Sequence, residues 1–148
     1  MIINLKSYSI ITGNPHEQLT ISNISVSYGY FNNGNPYNTT FNVKVISGDF
    51  TGASEFEYNI KDFIRFVKEI RGLYDFKLRR VELNDICYGS NIQFCLDKTG
   101  HITISGTIYG NAMEHSLTFI FTTDQTAIEI FCKSLYKDFI TENIYTGK

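Results

Sequence analysis

The stretch Ile92-Gln93-Phe94-Cys95-Leu96-Asp97-Lys98-Thr99-Gly100-His101-Ile102-Thr103-Ile104-Ser105-Gly106 decides the fold. Ile92, Phe94 and Leu96 alternate with polar residues, and so do Ile102, Ile104 and Ile108, which is the period-two pattern of half-buried strands. Asp97 to Gly100 reads as a turn in which Gly100 supplies the positive φ. Pairing about that turn sets Leu96 against Ile102, Phe94 against Ile104 and Ile92 against Gly106, so both apolar sets share one face. After a polar turn around Asn111 to His115, Leu117, Phe119 and Phe121 restart the alternation. Residues 91 to 121 are thus expected to form a three-stranded antiparallel meander.

Outward from this meander the same signals recur. A strand is expected around Leu5 to Ile11 and another over Leu19 to Tyr30, where Ile24, Val26, Tyr28 and Tyr30 alternate. Asn32 to Tyr37 gathers turn formers around Gly34 and Pro36 and reads as a surface loop. Phe41, Val43 and Val45 begin a hairpin whose turn at Ser47-Gly48 sets Val45 opposite Phe50, the return strand running to Phe56 and Tyr58. Asn59 then caps a helix in which Ile60, Phe63, Ile64, Val67 and Ile70 form the buried stripe, Lys61, Arg65 and Lys68 face water, and Gly72 marks the end. Val81 and Leu83 suggest one more strand. A second helix follows Thr123-Asp124-Gln125, with Ile128, Phe131, Cys132, Leu135 and Phe139 as its stripe and fraying near Asn143. Its cap is Asp124, or Thr126 in a capping box with Glu129. Strands, helix, strands, helix without a strand-helix-strand alternation predict an α+β fold: a curved antiparallel β-sheet of seven or eight strands with two amphipathic helices packed on it.

The chain has 148 residues, 43% of them hydrophobic, with twelve Phe, ten Tyr and two Pro. That is enough for one core, so residues 1–148 are expected to be a single folded domain. A net charge of −2 argues against a chain built throughout to coat a polyanion. Three cysteines without CxxC spacing fit a reducing cytoplasm better than a disulfide framework or a zinc knuckle. No signal peptide is expected, because the N-terminus lacks an unbroken apolar run. Residues 18 to 43 carry no charge, but their Asn, Ser, Thr and Gln exclude a membrane span.

Candidates for chemistry each have an ordinary structural alternative. His101 is expected beside Asp124, as an acid/base dyad or as a hairpin end meeting a helix cap. His115 lies at the far end of the His101 strand, so the histidines do not converge on a metal. Cys87, Cys95 and Cys132 read as small apolar residues rather than nucleophiles. Glu55 and Glu57 share one face of a strand, the spacing of a glycosidase pair and equally of two solvated glutamates. The glycines of Gly48-Asp49-Phe50-Thr51-Gly52 belong to the hairpin rather than to a phosphate cradle. Residues 61 to 80 hold seven basic side chains against three acidic ones, a local +4 that leaves −6 outside that segment. This reads as a solvated face, so nucleic acid is not the expected partner.

Several segments in order resemble the WapI-type immunity proteins of bacterial polymorphic toxin systems. They are Gly48-Asp49-Phe50 with Gly52, the helix with Phe63 and Ile70, Gly100-His101-Ile102 with Ile104 and Gly106, and Phe119, Phe121 and Thr123-Asp124-Gln125, together spanning about residues 41 to 140. The resemblance implies a cytoplasmic protein that is not an enzyme, uses no cofactor or metal, and binds and neutralises a cognate protein toxin. It supplies no contact residues. Surface chemistry suggests Tyr28, Tyr30 and Tyr37 in and beside the Asn-rich loop, with Glu55 and Glu57 as acidic partners, because aromatic rings concentrate binding energy at interfaces. The alternative function is a small ligand-, carbohydrate- or nucleic-acid-binding accessory module.

Overall fold

The computed structural model describes residues 2–27 and 37–144. Four strands, β1 (Ile2–Ile11), β2 (Glu17–Val26), β3 (Thr39–Ser47) and β4 (Phe50–Tyr58), form an antiparallel sheet in sequential order. Helix α1 (Ile60–Tyr74) follows. Strands β5 (Arg80–Asn84), β6 (Asn91–Leu96), β7 (His101–Tyr109) and β8 (Ser116–Asp124) form a second sheet, again in order. Helix α2 (Gln125–Tyr136) runs into a π-helical turn, Lys137–Thr141.

The α+β class, the antiparallel pairing, the eight strands and the two helices are as expected, but the strands divide into two sheets instead of forming one. At its Glu57 end the outer edge of β4 is met by a loop. There the Asp85 carboxylate accepts the Glu57 N–H at 2.8 Å, and the Glu57 carbonyl accepts the Ile86 N–H. A loop rather than a strand thus satisfies the edge at Glu57.

The meander has the expected register: Leu96 pairs with Ile102, Phe94 with Ile104 and Ile92 with Gly106. Gly100 takes φ +89 in the turn and Gly106 takes φ +157 beside β6. On β2 the buried set Leu19 and Ile21 resumes at Ile24 and Val26, three residues on. A bulge absorbs the extra residue, with Asn23 at φ 54.

Two expectations at turns are corrected. The β3–β4 turn is Gly48-Asp49, with Gly48 at φ +64, so Ser47 pairs with Phe50 and Val45 with Gly52. Phe50 is consequently 69% exposed rather than facing Val45. Gly52 belongs to the hairpin as expected, on β4, and a Cβ there would lie 3.0 Å from Leu117 and 3.2 Å from Ile108, where β4 approaches the second sheet. Gly72 does not end α1. The helix continues to Tyr74, Asp75 caps it, and Phe76 at φ 61 closes a Schellman motif in which Phe76 N–H bonds Leu73 O and Lys77 N–H bonds Gly72 O. Gly72 instead lets Leu78 pack on the helix, 3.1 Å from where a Cβ would stand.

Asn59 and Asp124 cap their helices as expected, accepting the N–H groups of Lys61 and Ala127. The inner faces of both sheets and the helix stripes meet in one apolar cluster, which includes Phe66 and Leu73 beyond the expected α1 stripe. Phe63 stands at its centre, with ring centroids 5.1 Å from Phe41 and 5.2 Å from Phe139. Phe66 continues the aromatic chain to Phe94 in the second sheet, 5.9 Å away. Helix α2 packs beside β1, α1 beside β5, and the helices on each other, while β4 approaches β7 and β8.

Candidate partner-binding surface

Alternation along β4 turns Phe56 and Tyr58 inward and Glu55 and Glu57 outward, opposite Asn42 and Thr40 of β3. Glu55 is exposed, whereas Glu57 is partly covered by the loop from Asp85 to Ser90 that its own backbone holds. Buried Asp85 organises that loop, since its two oxygens also accept the N–H groups of Cys87 and Tyr88. Cys87 is exposed here, contrary to its expected place as a small apolar core residue. Its thiol is pushed up by local desolvation and by the Glu57 and Asp85 carboxylates, the opposite of an activated nucleophile. Cys132 is buried as expected, and burial pushes its thiol up to about 11.

Tyr37 is 42% exposed and precedes β3 at the end where Thr39 pairs with Tyr58. The adjacent Asn38 side chain is buried, and its Oδ1 accepts the Ile60 N–H and the Thr39 hydroxyl, fastening β3 to the start of α1. Tyr37 and Glu57 thus belong to one end of the first sheet, with Glu55 two residues further along β4. Tyr28 and Tyr30 lie outside the described residues.

The sequence reading missed a cleft of about 410 Å³ between α1 and β5. Tyr58, Phe66 and Val81, all buried, reach it from the core side, and Ile86 continues its lining toward Glu57. Asp62, Arg65 and Glu69 line it from α1, and Arg80, Glu82 and Asn84 from β5. Asp62, Arg65, Phe66 and Glu69 recur at i, i+3, i+4 and i+7, a helix stripe that could have been read as one face. Tyr58 accepts the Asn84 N–H at 2.7 Å, and burial pushes its phenol up, so the hydroxyl stays neutral. A depression of about 560 Å³ beside Phe50 and Ile120 has no charged residue in its lining.

The seven basic residues of 61 to 80 are dispersed. Arg65 pairs with Asp62, Arg80 with Glu82, and Arg71 with Asp75 while lying over the Tyr136 ring. Arg79 donates to the Asp97 carbonyl. Strand register sets His101 opposite Asp124, as expected, and both line a depression of about 310 Å³ with Glu17. Their side chains nevertheless serve local structure: Asp124 caps α2, and the His101 ring bonds Thr99 within the hairpin. Among the described residues, no group of three or more His, Cys, Asp or Glu side chains could hold a metal ion, and no helix is long and apolar enough to cross a membrane.

The family model described as the immunity protein WapI-like family matches residues 10–140, beginning well before the segments that carry the resemblance in sequence. A search of curated proteins finds no match. Gly100, Gly106 and Asp124, which carry that resemblance, are turn, strand-packing and helix-cap residues here. Their order therefore reports the scaffold. With a match over most of its length, the chain belongs to the WapI-like family of immunity proteins.

Proposed function

We propose that this chain acts as one domain in the cytoplasm of a bacterium that makes a polymorphic toxin, binds that cognate toxin and blocks it by occupancy rather than by catalysis. The family match over residues 10–140 carries this reading. The service of His101, Asp124 and Asp85 in caps and turns supports it, because these polar side chains are engaged in holding the scaffold. Contacts are proposed at Tyr28, Tyr30, Tyr37, Glu55 and Glu57, because tyrosine rings and carboxylates can supply an aromatic anchor and a charged rim.

The test is co-expression with the product of the gene directly upstream. Rescue of cells from that product, with a co-purifying complex, is the expected result. A toxic product that kills equally in the presence of this chain, and does not associate with it, overturns the reading.

A further inference from the structure

The cleft between α1 and β5 pairs an apolar floor with an excess of carboxylates. Three carboxylates line it, Asp62, Glu69 and Glu82, against two guanidinium groups, Arg65 and Arg80. Both guanidinium groups are already engaged, Arg65 with Asp62 and Arg80 with Glu82. Glu69 has no ion-pair partner among the described residues, and neither have Glu57 and Glu55 on the adjoining rim beyond Ile86. Asp62 and Glu69 are two helical turns apart, so the acidic side extends roughly 10 Å. At about 410 Å³ the space admits one or two side chains but not a folded element.

We infer that this cleft receives a basic protruding segment of the toxin, whose lysine or arginine stem lies on Tyr58, Phe66 and Ile86 while its cation meets Glu69. The inference rests on the immunity reading and names the surface that reading leaves open. Among the described residues that line the cleft no cation is unpaired, so an anionic guest would face the surplus carboxylate. A cationic guest gains that carboxylate, and its aliphatic stem gains the apolar floor. The Tyr58 hydroxyl, neutral and already accepting from Asn84, keeps its own hydrogen to offer a backbone carbonyl of the guest. Since Glu57 binds Ile86 through its backbone carbonyl, the cleft and the rim bearing the proposed glutamate contacts are continuous.

The experiment measures the dissociation constant between the full chain and the purified toxin domain encoded directly upstream, at about 50 and about 300 mM salt. Glu69→Lys is compared with Asp49→Lys, which makes the same change of net charge on the exposed β3–β4 turn. Glu69→Lys is expected to weaken binding about 30-fold at low salt and to flatten its salt dependence, with Glu69→Gln intermediate and Asp49→Lys within about 3-fold of the parent. Melting temperatures of the variants establish that each is folded. If the parent binds and Glu69→Lys weakens binding no more than Asp49→Lys does, the cleft assignment is overturned while the immunity reading stands. If the parent neither binds nor protects, both fall.

Discussion

A methyl group added at Gly106 would sit 1.9 Å from the Asn91 carbonyl oxygen, whereas one added at Gly100 would meet nothing nearer than the Phe76 ring at 3.8 Å. Both glycines have positive φ, +157 and +89, so an alanine at either is conformationally strained. Only at Gly106 must backbone also move. Gly100→Ala should therefore cost about 1 to 2 kcal/mol, the penalty of an L-residue in the left-handed region. Gly106→Ala should cost at least about 3 kcal/mol or prevent folding, because β6 cannot retreat without breaking its ladder. Thermal denaturation of the two variants checks this, at about 3 to 5 °C per kcal/mol for a chain of this size. Equal shifts would show that the contact with Asn91 is not what fixes glycine at position 106.

The final π-helical turn is tied to β1 by buried Asp138, whose carboxylate accepts the Tyr8 hydroxyl at 2.6 Å and the Lys6 ammonium at 3.1 Å. Burial first, and then the Asp138 carboxylate, raise the Tyr8 phenol above its usual range, and burial does the same to Tyr58. A group whose folded pKa is raised contributes stability that is intact below its unfolded pKa and is lost as pH rises, here from about pH 10 upward. Alkaline titration should show at least two phenols, those of Tyr8 and Tyr58, that ionise only as the fold opens. Tyr8→Phe should remove one of them, lower stability at neutral pH by about 1 to 3 kcal/mol and soften the alkaline loss. All tyrosines ionising together near pH 10, with the circular dichroism unchanged, would contradict it. At this scale the sequence was legible where one strong signal acts alone: the β6–β7 register from Gly100 and two apolar triplets, and the α1 cap from Asn59; at α2 two caps were open, and Asp124 rather than Thr126 fills the place. It misled where two residues compete for one role. The turn fell on Gly48-Asp49 rather than Ser47-Gly48, one residue further along, and Phe76 took the left-handed position that Gly72 was expected to fill. The α1–β5 cleft was illegible because its two walls are joined only by tertiary packing.

Across the molecule each sheet is followed by a helix, yet the two halves are interlocked rather than stacked. Helix α2 of the second half lies beside β1 of the first, Asp138 bonds Lys6 and Tyr8, and Phe139 packs on Phe63. In the other direction α1 lies beside β5, and Gly52 admits Leu117. Division of the strands into two sheets was not legible for the same reason: hydrophobic alternation specifies a strand's inner face but not the strand next to it. The interlock has a consequence for folding. A fragment of residues 1–78 keeps β1 to β4 and α1 but leaves Phe63, Tyr8 and the β1 flank without Phe139, Asp138 and α2. A fragment of residues 79–148 retains Phe94 without Phe66 and α2 without β1. Neither should fold alone, because each would expose much of the single apolar cluster to water. Mixed or co-expressed, they should assemble into a complex with the circular dichroism and cooperative unfolding of the intact chain. Independent cooperative unfolding of either fragment would mean that the halves are separate folding units and that their mutual packing is dispensable.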